Sequence, residues 1–564
     1  MMNLPETQYA VQLIGPDELF LNKSKEVFRP GRHQILCRVE AVGLCFSDLK
    51  LLKQFSSHVR KSEIVWGIDH AILKEIPSYV PGRQPTVPGH ETVVRIEAVG
   101  EGVEDFKEGE RYLVQTDYRW LHTASSNGAF GYNFEGALQE YVLMDERIIT
   151  TPEGESMLIP VSEELSGSAI ALVEPWACVE DAYASRERTS IRAGGQMLVA
   201  ADPALISASS RQLKNLRLSI KKLVRGGRPA EITWVAKSPP VKLDVPVKRS
   251  VNISELVDAG YDDVIYFGSD ASTVEGLFAK LASGGLLNIV LCGGKFGREV
   301  ITTVGRVHYG GIRIVGTTGA EPGESMEVIP DGDEIRPGDK INIIGAGGPM
   351  GMMHVIRNIC QGVEGVSVFA GDVDDNRLAG LTKIAAPLAK KNGVKYKSYN
   401  PTKENTAESF DYTVLMVPVA ELAAASVHSA AERGIINIFA GITATITGKI
   451  DLDTYIEKRL YFIGTSGSTL DDMKRMLEKA ESGKLDTNVS VAAISGLEGA
   501  TEGIRAVENR SIAGKIIVYP ACKGLGLVRL EELKVMMPEV AECLNDGLWS
   551  NAAEKTLLKM YQKS

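Results

Sequence analysis

The feature that most constrains the fold of this chain is a strand, glycine turn, helix and strand pattern between Ile335 and Asp374. An apolar run, Ile341 to Ile344, leads into the turn GAGGPMG, which is followed by a segment with helical spacing and by the apolar run Val366 to Ala370. This order is typical of the βαβ unit that binds a dinucleotide, because glycines let the backbone approach a pyrophosphate and the helix start offers N–H groups to it. The candidate cofactor-binding residues are Gly345, Gly347, Gly348, Pro349, Met350, Gly351, Asp372 and Arg377.

Asp372 indicates which dinucleotide is preferred. It follows the last glycine by about 20 residues, where a carboxylate accepts hydrogen bonds from the adenosine ribose. A carboxylate there repels the 2′-phosphate of NADP and favours NAD, although the nearby cation of Arg377 weakens that preference. The spacing Gly345-x-x-Gly348-x-x-Gly351 is one residue longer than the strict motif. An ordinary strand-to-helix turn is therefore the alternative.

Length and composition limit the class of protein. A chain of 564 residues is too long for one core and predicts three or four domains. A net charge of −10 argues against a nucleic-acid partner. The sequence contains neither an apolar run long enough to span a bilayer nor a signal-peptide pattern, and its seven scattered cysteines do not resemble a disulfide framework. We therefore expect a cytoplasmic protein without a membrane partner.

The first 150 residues are rich in short alternating segments separated by glycines, which predict a compact β-barrel-like domain. A longer, mixed stretch from Lys50 to Pro88 interrupts this pattern and is expected to run over the barrel surface. Within it, His58, Arg60 and Lys61 could contact a phosphate on a substrate. A solvated basic cluster is the alternative interpretation.

Four residues of the first 180 could form a metal site. Cys45 lies in VGLCFSD, His90 and Glu91 lie in VPGHE, and Glu174 lies in LVEPWACVE. A thiolate, an imidazole and one or two carboxylates suit a catalytic zinc ion. Each residue alone would be unremarkable packing or surface, so the prediction depends on the sequence contexts. Which glutamate is the third ligand stays open.

These contexts, followed by a dinucleotide unit, resemble the medium-chain, zinc-containing alcohol and polyol dehydrogenases over roughly residues 8 to 190 and 335 to 520. The resemblance implies an α/β fold with a GroES-like β-barrel catalytic domain, a Rossmann-like doubly wound parallel sheet and a final return to the catalytic domain. Glu174 before a proline is similar to the sorbitol dehydrogenase and ketose-phosphate reductase branch. The family implies hydride transfer between NAD(H) and a secondary alcohol or ketone of a polyol, sugar or sugar phosphate, with Ser47 relaying the proton. Thr92 to Tyr141 contains no cysteine, so we expect one zinc and not a second, structural one.

The chain departs from this family by an internal duplication. Segments beginning at Ile191, Tyr261, Gly285 and Ile314 recur in the same order at offsets of 144, 149, 149 and 148 residues. Two Rossmann-like units are therefore predicted in tandem. The first has AADPAL in place of the glycine turn and Lys237-Ser238 in place of the acid. We interpret it as a degenerate, structural unit; a site for another ligand or regulator is the alternative.

The predicted domains are 1–190 (GroES-like), 191–330 (degenerate Rossmann-like), 331–470 (NAD-binding), 471–520 (return segment) and 521–564 (a helical C-terminal extension of two amphipathic helices docked on the body). We expect the strand segments 311–316 and 459–464 to pair, which would make the chain a monomer with an internal pseudo-dimer; a homodimer is the alternative.

Three other functions compete with a zinc dehydrogenase for a small-molecule alcohol or sugar. A zinc-free quinone or enoyl-type reductase of the same superfamily would keep the glycine turn without needing the metal residues. A non-enzymatic NAD-binding scaffold would explain the duplicated unit. A dehydrogenase that uses both Rossmann-like units is the least favoured.

Overall fold

The computed structural model describes residues 4–184, 186–202, 210–235, 245–250, 252–404, 406–465 and 467–562. The chain divides into two compact units, Met1–Glu180 with Ser468–Ser564, and Asp181–Gly467. The predicted α/β class is confirmed, because one unit is rich in antiparallel strands and the other contains parallel sheets flanked by helices. Within the described residues, no helix has the length and apolar character needed to cross a bilayer.

The N-terminal part of the first unit is built around one central strand, β3, which pairs antiparallel with both β5 and β9. The strands are β1 Thr7–Gly15, β2 Glu18–Glu26, β3 Gln34–Gly43, β4 Ile64–Trp66, β5 Glu91–Val99, β6 Arg111–Val114, β7 Asp117–Thr123, β8 Asn127–Ala129, β9 Tyr141–Asp145 and β10 Leu158–Pro160. The helices are Phe46–Gln54, His70–Lys74, Glu146–Ile149, Gly167–Ala171 and Val173–Ala184, and the boundary between the units falls inside the last of these.

The second unit begins with a six-stranded parallel sheet. Its strands are β11 Gln196–Ala201, β12 Glu231–Val235, β13 Val247–Arg249, β14 Tyr261–Phe267, β15 Leu281–Val290 and β17 Arg313–Thr317, with β16 Val300–Thr302 outside the sheet. The order β13-β12-β11-β14-β15-β17 is that of a dinucleotide-binding fold. The accompanying helices are Ser210–Leu223, Ala271–Phe278, Gly305–Tyr309 and Pro322–Met326.

A second sheet in the same unit repeats this order. Its strands are β18 Lys340–Ile344, β19 Ser367–Gly371, β20 Lys395–Tyr399, β21 Phe410–Leu415, β22 Ala430–Asn437 and β24 Tyr461–Ile463, arranged β20-β19-β18-β21-β22-β24, with β23 Gly448–Ile450 outside it. Its helices are Pro349–Cys360, Asp375–Asn392, Ala420–Ser429 and Leu452–Glu457. The identical strand order agrees with the duplication read from the sequence.

The two sheets meet differently from the prediction. Residues 311–316 and 459–464 form no ladder with each other in the described part of the chain, and the sheets stay separate. The reason is that the Tyr455 hydroxyl lies between them, donating to the carbonyl of Ile314 (2.8 Å) and accepting from the N–H of Phe462 (3.0 Å). Backbone pairing between the copies occurs instead between β16 and β23.

The C-terminal part of the chain completes the first unit. Its strands are β25 Val491–Ser495, β26 Lys515–Val518 and β27 Val528–Arg529, and its helices are Leu470–Glu481, Leu497–Glu508, Leu533–Met536, Pro538–Ala541 and Asn551–Gln562. Strand β26 pairs antiparallel with the end of β3, which gives the sheet order β10-β6-β5-β3-β26-β25-β27. The return to the catalytic domain that the family resemblance implies is thus a strand pairing.

Residues 521–564 dock on the first unit through buried side chains, and the described part forms three helices where two were expected. Trp549 and Leu557 are fully buried. The Glu554 carboxylate accepts hydrogen bonds from the N–H groups of Gly167 and Ser168 and from the Tyr519 hydroxyl. Since carboxylates stabilise a helix start, Glu554 ties the extension to helix Gly167–Ala171.

The linker between the two copies contains Asp333, a fully buried carboxyl group whose two oxygens have no hydrogen-bond partner among the described residues. The pKa of Asp333 is raised to about 8, first by burial and then by the negative charge of Glu187, while Arg313 opposes both. The folded chain therefore holds a proton that an unfolded aspartate, with a pKa of about 4, releases.

We predict that this group makes the wild-type protein less stable as the pH rises from about 5 to 8, because the native state binds more protons than the unfolded state. Asp333→Asn should remove that slope and raise the free energy of unfolding above the wild-type value at pH 8. Urea unfolding of both proteins at several pH values measures the free energy of unfolding and its dependence on pH. The exposed Asp331 provides the matched control, Asp331→Asn, which should keep the wild-type slope. Parallel pH profiles for wild type and Asp333→Asn would contradict the prediction.

Candidate active site

The predicted metal ligands meet where β3 ends and β5 begins. The two strands run antiparallel with Gly43 opposite Glu91. Cys45, two residues beyond β3, and His90, one residue before β5, therefore reach the same edge of the sheet. Cys45 is also the N-cap of helix Phe46–Gln54, whose first turn carries Ser47 and Asp48.

Cys45, His90 and Glu91 offer one sulfur, one ring nitrogen and one carboxylate oxygen within 4.8 Å of one another. Ser47 lies against two of them, since its hydroxyl donates to Cys45 Sγ (3.1 Å) and lies 3.0 Å from His90 Nε2. A donor set of this kind suits zinc. The structure thus brings together four of the residues singled out in the sequence, while their catalytic and metal-binding roles stay predictions.

Glu174 lies outside that group of three, in the first turn of helix Val173–Ala184. The pKa of Glu174 is raised to about 7, mainly by burial; the charge of His90 lowers it and that of Glu91 raises it, so both residues lie within electrostatic range. Of the two glutamates left open by the sequence, Glu91 is the one grouped with the thiol and the imidazole.

Asp48 is a functional candidate that the sequence reasoning missed. One of its carboxylate oxygens lies 3.1 Å from His90 Nδ1, and the other accepts a hydrogen bond from the Cys45 N–H (3.1 Å). Burial lowers the pKa of His90, but Asp48 more than offsets this and raises it well above the usual value. A carboxylate behind a histidine fixes the orientation of the ring. The signal was present, because Asp48 stands within the same motif, three residues after Cys45.

Lys515 was also missed. It lies on β26, pairs with Glu91 Oε1, and donates to the carbonyl of Leu44 (3.1 Å). Burial lowers the pKa of Lys515, yet Glu91 and Cys45 raise it to about 12, so the ammonium stays charged. The other oxygen, Glu91 Oε2, is buried without a hydrogen-bond partner among the described residues. No local pattern could reveal this pair, which is 424 residues apart in sequence.

Tyr132 lies beside the two histidines of this region. Its ring centre lies 5.9 Å from that of His90 and 5.0 Å from that of His58. Burial raises the pKa of Tyr132, so the phenol is protonated and available as a donor. Tyr132 therefore adds a buried phenol next to the imidazole of His90.

The structure contradicts the hypothesis that the cluster around residue 60 contacts a substrate phosphate. Lys61 is 0% exposed, and its ammonium donates to the carbonyls of Val80 and Gln84. Arg60 pairs with Asp117 at 3.0 Å. Burial, assisted by the charge of Arg60, lowers the pKa of His58 to about 4, so this ring is neutral near pH 7. The three side chains serve local packing because the segment folds inwards there.

The candidate cofactor turn has the tight geometry that glycines allow. Gly345 adopts φ +88°, a Cβ on Gly347 would lie 2.6 Å from Arg377 Cβ, and a Cβ on Gly351 would lie 2.3 Å from the Gly345 carbonyl oxygen. Helix Pro349–Cys360 begins at once, with Pro349 and Met350 in its first turn and Gly348 as an N-cap that has no capping side chain. An uncapped helix start of this kind suits an anion such as a pyrophosphate.

Asp372 follows β19 and faces this turn. One of its oxygens accepts from the Gly347 N–H (2.9 Å) and the other from the Asp374 N–H (3.0 Å). Arg377 lies near Asp374, with 3.7 Å between the charged groups. Seven of the eight residues predicted to bind the cofactor therefore lie in this turn, at the helix start behind it or directly after the neighbouring strand, and Arg377 lies in the first turn of helix Asp375–Asn392; their binding roles stay predictions.

The first copy holds a carboxylate at the comparable end of its sheet. Asp202 follows β11 and accepts hydrogen bonds from the Tyr266 hydroxyl and from the N–H groups of Ser269 (2.9 Å) and Asp270 (3.2 Å). Doubly wound sheets bind ligands at the carboxyl ends of their strands, and here part of that space is taken by the chain's own acid. Residues 203–205 of AADPAL and Lys237-Ser238 lie outside the described residues.

Comparison with known proteins supports this architecture. A model described as "Alcohol dehydrogenase GroES-like domain" matches residues 31–153. The chain is 26% identical over 247 residues to the uncharacterized protein YggP of Escherichia coli, which covers 40% of this chain and 58% of that protein. It is 25% identical over 357 residues to a mannitol-1-phosphate 5-dehydrogenase of Aliivibrio fischeri, covering 58% of this chain and 82% of the relative. The chain thus spans little more than half of the first relative.

Among solved structures, 2R,3R-butanediol dehydrogenase from Bacillus subtilis has a TM-score of 0.50 at 15% identity, covering 91% of this chain and 100% of that one. This likeness concerns the fold alone. A region that matches the GroES-like domain, a cysteine, histidine and glutamate cluster, and a doubly wound sheet with a glycine turn are thus present in one chain, and this architecture is similar to that of alcohol dehydrogenases. The motifs of the chain resemble those of the zinc-containing alcohol and polyol dehydrogenases, and its relatives include an alcohol dehydrogenase of a Moraxella species, 30% identical over 21% of this chain and 32% of that protein.

The contact between Asp48 and His90 leads to a prediction about metal affinity. Asp48→Asn should weaken zinc binding about 10- to 100-fold while leaving the fold intact, because the amide holds the imidazole less firmly than the carboxylate does. Competition with a zinc-binding dye measures the affinity without relying on catalysis. Asp105→Asn, at an exposed position of the same unit, is the control and should bind zinc like the wild type. An unchanged affinity in Asp48→Asn would contradict the assigned role.

Proposed function

We propose that this protein is a zinc-dependent oxidoreductase that transfers a hydride between NAD(H) and a secondary alcohol or ketone of a polyol, sugar or sugar phosphate. The observation that carries the proposal is the grouping of Cys45, His90 and Glu91 within 4.8 Å of one another. The substrate class is supported by the name of the Aliivibrio relative, a mannitol-1-phosphate 5-dehydrogenase. We further propose small molecules as the partners and the cytoplasm as the location.

The chain's donor atoms fit zinc. Cys45 and His90 would hold the ion together with Glu91 or Glu174, and a buried oxygen without a partner, Glu91 Oε2, is what an available ligand atom requires. When bound, zinc acts as a Lewis acid on the substrate oxygen and favours its deprotonation. Lys515 holds the other oxygen of Glu91 and balances its charge.

Side chains around these donor atoms orient the imidazole of His90 and move the proton of the alcohol. Asp48 accepts a hydrogen bond from the Nδ1–H group of His90. Nε2 then carries the lone pair that can bind a metal ion. Ser47 Oγ, beside both Cys45 and His90, accepts the alcohol proton and passes its own towards solvent.

The second copy supplies the dinucleotide site. The glycine turn and the start of helix Pro349–Cys360 would accept the pyrophosphate, and Asp372 would accept hydrogen bonds from the ribose. NAD supplies the hydride acceptor. Arg377 lies near Asp374, which reduces its attraction for a 2′-phosphate and supports NAD over NADP.

The function is tested by screening polyols and sugar phosphates with NAD⁺ and NADP⁺, with and without a chelator. We expect turnover with NAD⁺ that is lost in the chelator and restored by Zn²⁺, and about one zinc per chain, because the site is a single catalytic one. Cys45→Ser should abolish both turnover and bound zinc. Cys543→Ser changes a cysteine of the C-terminal extension and should leave both unchanged.

Other results would favour one of the alternative functions. Full activity of the metal-free protein would end the zinc mechanism and favour a quinone or enoyl-type reductase. Dinucleotide binding without turnover of any alcohol, ketone, quinone or enoyl substrate would favour a non-enzymatic scaffold.

Cofactor choice gives a separate prediction. Asp372→Ala should weaken NAD⁺ binding by at least about 10-fold, since it removes a charged hydrogen-bond acceptor worth about 1.5–3 kcal/mol, and should narrow the difference in affinity between NAD⁺ and NADP⁺. Dissociation constants from titration calorimetry measure both effects. Asp375→Ala, an exposed carboxylate nearby on the next helix, is the control. A wild-type protein that prefers NADP⁺ strongly would contradict the role given to Asp372.

A further inference from the structure

The two copies touch each other through elements that are counterparts of one another. Strand β16 begins at residue 300 and β23 at residue 448, an offset of 448 − 300 = 148. Strand β17 begins at residue 313 and β24 at residue 461, an offset of 461 − 313 = 148. Residues 148 apart in sequence therefore occupy equivalent places in the two copies.

The pairing of β16 with β23 is crosswise with respect to this equivalence. Val300 pairs with Ile450, Ile301 with Lys449, and Thr302 with Gly448. Ile301 therefore faces its own counterpart (449 − 301 = 148), and Val300 faces the counterpart of Thr302 (450 − 302 = 148). Such reciprocity is the mark of a two-fold, isologous interface, in which residue i contacts j and j contacts i.

A second pair of contacts repeats the same reciprocity. A Cβ placed on Gly316 would lie 2.6 Å from Ile456 Cγ1, and a Cβ placed on Gly464 would lie 2.9 Å from His308 Cα. Gly464 is the counterpart of Gly316 (464 − 316 = 148), and Ile456 is the counterpart of His308 (456 − 308 = 148). Each copy therefore presents a close-packed glycine to the same helix of the other.

The local pseudo-axis is marked by Tyr455. Its hydroxyl links the carbonyl of Ile314 to the N–H of Phe462, and these two residues are counterparts (462 − 314 = 148). The surrounding side chains form one core that draws on both copies. Its members at this face are Val300, Val304, Val307, Ile312, Ile314, Ile450, Leu452, Ile456, Leu460 and Phe462.

We propose that the first copy, residues 191–330, is a built-in second subunit that binds residues 331–470 through a self-complementary two-fold face. The chain closes this face within itself, so no second chain is needed there. Two sequence facts then have one explanation. The first copy keeps the apolar strands and the interface glycine because the face needs them, and carries Asp202 at the end of its sheet because it binds no dinucleotide.

The wild-type protein permits a direct test. Lys295 of the first copy is ion-paired with Glu457 of the second, and both side chains are exposed. A carbodiimide should join them as an amide, and digestion with mass spectrometry identifies the linked peptide. We expect that peptide in the band of one chain on a denaturing gel. Its presence only in the band of two chains would overturn the proposal, because the face would then join separate molecules; its absence from every band would overturn the contact itself.

A paired-cysteine experiment tests the crosswise register. Ile301→Cys with Lys449→Cys should form a disulfide within one chain upon mild oxidation, since directly opposed strand residues lie within disulfide distance. Each single variant is a control for the seven native cysteines, none of which is in a disulfide. The buried pair Val300→Cys with Ile450→Cys provides a second register test. Disulfide-linked dimers in dilute protein, or no disulfide in a folded double variant, would count against the two-fold face.

Cofactor stoichiometry tests whether only the second copy binds a dinucleotide. Calorimetric titration of the full chain with NAD⁺ should give one site per chain, on the 331–470 copy, and Gly347→Val should remove it. Two equivalent sites would overturn the assignment of the first copy as a partner alone. Only this measurement rests on the proposed NAD chemistry; the two cross-linking results are independent of it, so a failure of either proposal can be recognised separately.

Discussion

The antiparallel pairing of β3 with both β5 and β26 is the constraint on which the candidate site depends. Three distant segments reach one edge of the sheet because of it: Cys45 follows β3, His90 and Glu91 begin β5, and Lys515 begins β26. Neighbouring strands lie only about 5 Å apart, so short side chains at that edge can share one ion. Cys45 is followed at once by a helix, and the first turn of this helix places Ser47 and Asp48 at the same site.

The second unit shows how duplication separates two demands on a sheet. Binding a dinucleotide requires glycines and an uncapped helix start at the carboxyl ends of the strands, whereas a self-complementary face requires apolar side chains and close-approaching glycines at the sheet edge. The second copy shows both sets. The first copy keeps Gly316 at its edge but places Asp202 where β11 ends. The dinucleotide site lies at the carboxyl ends of the strands, whereas the self-complementary face lies at the sheet edge. A copy can therefore lose the first and keep the second.

Particular residues show how far sequence reasoning reaches. Cys45, His90, Glu91 and the glycine turn were identified because each stands in a short local pattern whose chemistry is specific. Asp48 stood in the same pattern and was overlooked, whereas Lys515 could not be found without knowing that β26 returns to β3. The basic cluster at 58–61 was misjudged for a related reason: the chain folds Lys61 onto the carbonyls of Val80 and Gln84, and burial is not a local property.

By itself, the sequence determined what repeats and what is locally spaced: the α/β class, the tandem copies, the glycine turn with its acid, and the types of side chain that could hold a metal ion. Periodicity and short motifs depend on neighbouring residues, so they can be read without coordinates. Only the tertiary structure decided that Glu91 is the glutamate grouped with Cys45 and His90, that Lys515 balances it, and that the copies meet crosswise through β16 and β23 without a ladder between their edge strands. Those outcomes depend on strand register and on the Tyr455 hydroxyl lying between two edges, which are set by packing across hundreds of residues.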